Sequence, residues 1–361
     1  MNAIMNVAGL VITGWSFASM FSGQDVDPEK QTTVTLLNGN APNSDGSIPH
    51  LALWDENGNR IGQYKGNANG HLDKGSTKTF PINPTQNGGH QANAEYLLLS
   101  MEESDAICLS VITVSGNSQQ WTWTGDMGYT CGVQWFHSSS RFGGSNKAIR
   151  CVWLDKDHSA GIKAEGVSLH MPSFSADDPL VNQYKKNQRR LCQVTNRMTF
   201  HRHITSDSLV GFFNPPIQYT ENGALKHPNR GIDRKQRGYP DLPRSHGRDW
   251  ASARNSSSSV HGLKNNQPDR LIVSSLEGQS ARELCEHENS LGPDFVHTGE
   301  KLFCDMETAK LWPVCGETGE VGCFDVNARE MRNPPAGSED AKGIGADGNL
   351  RAKKYKEYEE W

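Results

Sequence analysis

The eight cysteines fall into two sets of four: Cys108, Cys131, Cys151 and Cys192, then Cys285, Cys304, Cys315 and Cys323, with none between Cys192 and Cys285. Two even sets predict two units, each closed by its own disulfides, and such bonds persist in oxidising compartments. The chain is therefore expected to be secreted and extracellular. Each set of four allows three pairings. In the second set Cys285 with Cys304 and Cys315 with Cys323 are favoured, because a short helix around Cys285 needs anchoring to the hairpin that follows. In the first set Cys131 with Cys151 is favoured.

The start of the chain agrees with export. Residues 3–17 are apolar and uncharged, and Ser16-Phe17-Ala18 provides small residues before a cut after Ala18, so residues 1–18 are read as a signal peptide that lacks a basic leading segment. Asn6, Gly9 and Gly14 interrupt the run too often for a membrane span, and no other segment has the length and apolarity to cross a bilayer.

With 361 residues the chain has room for about two domains. Hydrophobic residues make up 35% of it, and the mean hydropathy is -0.65. That is low for one continuous core, so part of the chain should pack poorly.

The first part reads as β-structure. Thr32 to Leu37 has strand character, and His50-Leu51-Ala52-Leu53-Trp54 and Arg60-Ile61-Gly62-Gln63-Tyr64 flank a turn containing Asn57-Gly58. An Asn-Gly pair between apolar runs signals a hairpin, since both residues tolerate positive φ. Further strands are predicted over Glu95–Ser100, Ala106–Ser115, Gln120–Thr124, Gly132–His137, Ala148–Leu154 and Ala164–His170. Short strands separated by turns, without helical periodicity, predict a mainly β chain with an antiparallel β-sandwich over 31–174.

From 175 to 268 the composition turns basic and rich in Pro, Ser and Arg, which predicts an extended connector docking at most through Phe212 and Phe213. Asn255 begins a glycosylation sequon there. A small disulfide-stapled α+β module follows over 269–327. Ser280-Ala281-Arg282-Glu283 is a capping box that opens a helix over about 281–290, and Lys301 to Cys304 and Lys310 to Cys315 form a hairpin with Pro313 on an edge. Residues 328–361 read as a polar tail.

Asp105-Ala106-Ile107-Cys108, Tyr129 to Ser138 and Cys151 to Asp157, with Ser280 to Cys285, Gly292 to Val296, Phe303 to Met306 and Leu311 to Cys315, resemble segments of uncharacterised secreted proteins of filamentous ascomycete fungi. The resemblance implies export and two modules, and it transfers no activity. The pattern from Val34 to Gly62 is similar to the opening strands of lipoxygenase-homology sandwich domains.

Trp121, Trp123, Tyr129, Trp135 and Trp153 cluster in sequence with Asp126 and His137. Flat rings beside amide and carboxylate groups suit the stacking of a sugar, which makes this a candidate ligand platform, although strand periodicity also fits a core. Asp55, Asn57 and Asn59, and Asp155 with Asp157 and Gly161, alternate oxygen ligands but lack the glycine and glutamate of a full calcium loop, so solvated turns are expected. Cys192, His201 and His203 are an incomplete zinc set, and Cys192 is needed for a disulfide. Neither metal nor cofactor is assigned.

Catalytic signatures such as Gly-x-Ser-x-Gly and His-Glu-x-x-His do not occur. Glu102, Glu103, Asp105 and Asp126 are acids without a known spacing in space, and His137 beside Ser138, Ser139 and Ser140 is generic. The basic stretch, with Lys185, Lys186, Arg189, Arg190, Arg230, Arg234, Lys235, Arg237, Arg244 and Arg248 beside Tyr239 and Trp250, has the charge that phosphate attraction needs. Acidic flanks offset it, so nucleic acid is the weaker reading. Arg189-Arg190 is also a dibasic processing pair.

The expected function is that of a secreted, non-enzymatic binding protein contacting a glycan or a cell or host surface. The alternatives are a hydrolase with a cleft between the modules, and a toxin-like protein that engages anionic surfaces through its basic stretch. Limited proteolysis should cut first between about 220 and 268 and leave two disulfide-closed fragments. Equal resistance there and in the sandwich would overturn this domain map.

Overall fold

In the computed structural model the described residues are 31–89, 92–116, 119–141, 148–174, 178–186, 190–193, 196–217, 264–316, 321–332 and 355–361. The expected signal peptide, Asn255 and the basic residues from Arg230 to Arg248 lie outside them. The chain divides into two units at Ser256/Ser257. Among the described residues no helix is long and apolar enough to cross a membrane.

The first unit holds β1 (Thr32–Asn38), β2 (Gly46–Ile48), β3 (His50–Trp54), β4 (Arg60–Tyr64), β5 (Asn67–Leu72), β6 (Thr77–Ile82) and β7 (Tyr96–Ser100). It continues with β8 (Ile107–Gly116), β9 (Gln119–Thr124), β10 (Trp135–Phe136), β11 (Cys151–Leu154), β12 (Gly166–His170) and β13 (Met198–His201). Three short helices are α1 (Gly125–Thr130), α2 (Asp178–Lys186) and α3 (Arg190–Gln193). One sheet runs β10-β11-β8-β1-β6, with β9 also on β8, and a second runs β13-β12-β7-β3-β4. All their pairings are antiparallel. Each of the nine strands expected from sequence is present.

Alternation places Val34 and Leu36 of β1 in the core while Thr33 and Thr35 stay half-exposed. The β3–β4 hairpin forms at the expected turn, with Gly58 at φ 81°. Between the sheets, Trp123 of β9 packs on Phe200 of β13, and its indole N–H reaches Met198 Sδ.

Strands β3 and β7 are buried on both faces, which an open sandwich face would not allow. The cover comes from residues 204–217. Ile204, Val210 and Phe213 pack on Ala52, Trp54, Tyr96 and Leu98, with Phe212 and Ile217 alongside. The Phe213 N–H donates to Tyr96 Oη at 3.0 Å. The expected connector boundary at 175 is therefore corrected: α2, α3, β13 and the stretch to about 217 belong to the sandwich. Elements of four to nine residues are too short to show periodicity in a polar stretch, which is why the composition misled.

Every cysteine is disulfide-bonded. Cys108 pairs with Cys151 and Cys131 with Cys192, so the favoured Cys131–Cys151 bond is not formed. Strand pairing decides this. β11 runs beside β8 with Trp153 opposite Cys108, which leaves Cys108 and Cys151 with Cα atoms 5.1 Å apart. Cys131, at the end of α1, is then free to tie α3 down. The second set pairs as expected, Cys285 with Cys304 and Cys315 with Cys323. Loop-closure entropy assigns each of the four bonds about 2–4 kcal/mol.

The second unit contains β14 (Arg270–Ser274), α4 (Ala281–Glu286), β15 (Asp294–His297), β16 (Leu302–Asp305), β17 (Lys310–Pro313), β18 (Cys323–Asp325), β19 (Glu330–Arg332) and β20 (Glu357–Glu360). Its sheet runs β17-β16-β15-β14-β20, with β14 parallel to both β15 and β20, and β18–β19 form a hairpin. The expected N-cap is made, Ser280 Oγ accepting from the Glu283 N–H at 3.1 Å, although the helix stops at Glu286. Phe303 and Phe324 stack with ring centroids 4.0 Å apart in a core with Leu271, Val273, Val296 and Met331.

The expected polar tail is corrected at its far end. β20 extends the sheet, and Tyr355 donates to Asp294 Oδ2 at 2.7 Å. Asp294 is fully buried, and its other oxygen accepts from Asn265 Nδ2 and the Met306 N–H. One carboxylate thus joins three separate segments, and burial beside it pushes the Tyr355 hydroxyl well above its ordinary range.

His170 of β12 is buried against Tyr96 and Phe213 and hydrogen-bonded to Ser173 Oγ at 2.8 Å. Burial, and secondarily Arg197, push its pKa down to about 3 from 6.5. The unfolded chain therefore binds the extra proton first as pH falls. The contribution of His170 to stability should be full above about 6.5 and decline toward 3 at up to about 1.4 kcal/mol per pH unit. Glu95, raised by burial to about 7, adds an opposite slope between about 4.5 and 7. Denaturant titrations across this range should show a flatter acid limb for His170→Gln than for the native chain.

Candidate functional site

The aromatic cluster expected to present a ligand platform is core. Trp123, Trp135 and Trp153 are at most 1% exposed and Trp121 is 8% exposed. His137 is buried against Trp135 and Phe136. Tyr129, half-buried, meets the edge of Trp135 and is covered by the Arg150 guanidinium at 4.3 Å, while Asp126 pairs with Arg150 at 2.6 Å. Strand periodicity put Trp121 and Trp123 on one face, and that face is the one the second sheet covers. The platform assignment is thereby corrected.

The other sequence candidates are tied into local structure. Asp55 accepts from the Asn57 and Asn59 backbone and from Asn59 Nδ2, closing the hairpin turn. Ser138 Oγ accepts from the Asn40 and Ser140 N–H groups, and Glu102 accepts from Ser100 Oγ. Lys185 and Lys186 lie exposed at the end of α2.

The zinc set Cys192, His201 and His203 does not assemble. Cys192 is in a disulfide, and His201 Nε2 pairs with Ser168 Oγ at 2.9 Å. His203 turns instead toward His158 and Glu165, the three donor atoms lying within 4.8 Å of one another. In the neighbouring loop Ser159 caps Asp155 and Asp157, and burial pushes the Asp155 carboxyl up to about 6.

The second unit carries a polar groove of about 370 Å³ between β14, β20 and the turn of the β18–β19 hairpin. Tyr358 and Trp361 line it with Arg329, Asn327, Glu360 and Ser275. The Arg329 guanidinium lies 3.9 Å from the Tyr358 ring centroid. Tyr358 donates to Glu360 Oε1, and desolvation followed by this bond raises its pKa to about 12. Trp361 is held edge-on to Phe295 and its N–H points to Glu359.

These groove residues were not singled out from sequence, yet a signal existed. Asp305-Met306-Glu307-Thr308-Ala309 and Asp325-Val326-Asn327-Ala328-Arg329 are matching turns. In each the aspartate accepts from the N–H groups two and three residues on, and the last residue is left-handed, Ala309 at φ 54° and Arg329 at φ 56°.

No known protein family and no curated protein matches the chain. Solved structures that resemble it include a lipoxygenase with a short internal deletion, and the same variant crystallised anaerobically with arachidonate. Each is 11% identical over 45% of this chain and 20% of the lipoxygenase, with a TM-score of 0.20. The chain thus matches about a fifth of those proteins, and no activity follows from so small a likeness.

Replacing Trp123 by Ala removes a buried ring between the sheets, so it should cost about 3–5 kcal/mol in chemical denaturation. A ligand platform would instead lose ligand at unchanged stability.

Proposed function

We propose that the protein is an extracellular, non-enzymatic binding protein that takes a hydroxyl-rich ligand, such as the end of a glycan chain, in the groove of its C-terminal unit. The observation that carries this reading is the conjunction of Tyr358 and Trp361 with Arg329, Asn327 and Glu360 around about 370 Å³. A pyranose offers an apolar face for a ring and hydroxyls for amide, guanidinium and carboxylate partners, and the volume lies within the range of small-molecule sites, roughly 300–1,000 Å³. Four disulfides supply the stability an exported chain needs.

Retention on a panel of insoluble polysaccharides, with a glycan array for soluble ends, tests this. The native chain should be retained by at least one glycan. Arg329→Ala, at an exposed position, should weaken retention about tenfold, the equivalent of one charge-assisted hydrogen bond. Trp361→Ala should weaken it at least as much. Retention by no glycan, or equal retention of native and Arg329→Ala protein, overturns the reading.

A further inference from the structure

We propose that His158, Glu165 and His203 form a zinc site at the end of the β12–β13 strand pair, in the first unit and independent of the groove. Glu165 directly precedes β12 and is 3% exposed. Its backbone N–H bonds to His201 O at 2.8 Å, and its Oε2 accepts from the Ile204 N–H at 3.1 Å. These two bonds clamp the residues on either side of His203. Lys156 pairs with Glu165 Oε1, which leaves Oε2 as the oxygen facing the histidines.

His203 Nδ1 lies 3.7 Å from Glu165 Oε2 and 3.5 Å from His158 Nε2. Tetrahedral zinc with bonds of about 2.0–2.1 Å sets its ligand atoms roughly 3.3–3.4 Å apart. These two pairs lie within a few tenths of an ångström of that spacing, and the third, His158 to Glu165, lies within 4.8 Å, so the exposed His203 ring and the His158 ring close around the ion by side-chain movement.

His158 supplies the independent observation. Its Nδ1 lies 3.2 Å from Ile162 O, and a carbonyl can only accept, so Nδ1 carries the hydrogen and Nε2 presents a lone pair toward His203. A backbone carbonyl that fixes the remote ring nitrogen is the usual second shell of a metal-bound histidine. The loop carrying it is left-handed at His158 (φ 59°), Ala160 (φ 51°) and Gly161 (φ 79°), a conformation that costs energy at non-glycine residues and aims the ring at the strand end.

Donor chemistry selects the ion. Two imidazoles and one carboxylate oxygen suit zinc, whereas calcium needs six to eight oxygens. Lys156 beside the carboxylate reduces the negative charge that a hard cation requires. The His203 side chain is 75% exposed, so a fourth position faces solvent and accepts water or an outside donor.

Titration of the full-length oxidised chain with Co²⁺, followed by displacement with Zn²⁺, tests the proposal. One equivalent of Co²⁺ should give the visible bands of tetrahedral coordination, Zn²⁺ should abolish them, and Zn²⁺ should raise the thermal transition. Even second-shell changes cost about 10–100-fold in affinity, so His203→Ala should bind at least about 100-fold more weakly. Its exposed side chain makes folding insensitive to the change, and the metal-free melting curve checks this. His158→Asn, a residue tolerant of left-handed backbone, should lose the site equally, while His71→Ala should keep it. Absence of a one-equivalent site in the native chain, or native affinity in His203→Ala or His158→Asn, overturns the proposal.

Discussion

The first unit depends on what covers the outer face of its five-stranded sheet. Ala52, Trp54, Tyr96 and Leu98 point away from the opposite sheet, and without Ile204, Val210 and Phe213 over them they would be an apolar patch in water. Ordering that proline-bearing segment costs conformational entropy of about 1–2 kcal/mol per residue. Burial of aromatic rings offsets the cost, helped by the Asn196 Nδ2 bond to Phe212 O and the Phe213 bond to Tyr96. The Cys131–Cys192 disulfide ties α3 to α1, just upstream of the cover. The same docking carries His203 to Glu165, so the candidate metal site is a by-product of covering the sheet.

The second unit solves a different problem, since few of its residues are apolar. A buried carboxylate, Asp294, and two disulfides do what a larger core would do elsewhere. Backbone pairing with β14 makes the C-terminal strand part of the sheet, Asp294 accepts from Tyr355 just ahead of it, and that strand brings Tyr358, Glu360 and Trp361 to the groove. Arg329 reaches the same groove from the hairpin that Cys315–Cys323 closes. The groove therefore exists only when the last residues are docked.

Local signals were legible where chemistry acts over a few residues. The Asn57-Gly58 turn, the Ser280–Glu283 capping box, the nine strands and the short Cys315–Cys323 loop all follow from neighbours in sequence. The aromatic cluster was legible as a cluster but not by its burial, because alternation states which residues share a face and not which face another sheet will cover. Likewise His201 and His203 invited one reading as a pair, whereas strand pairing gives His201 to Ser168 and His203 to Glu165 and His158.

The sequence by itself determined a mainly β, antiparallel, disulfide-closed chain in two cysteine sets, because strand alternation, turn residues and capping are properties of adjacent positions. Tertiary structure alone decided the rest: that Cys108 meets Cys151, that α2, α3, β13 and residues 204–217 complete the sandwich, that the tryptophans are interior and that the end of the chain adds a strand. Each depends on which surface is left uncovered once the sheets form, and that quantity is distributed over residues far apart in the chain.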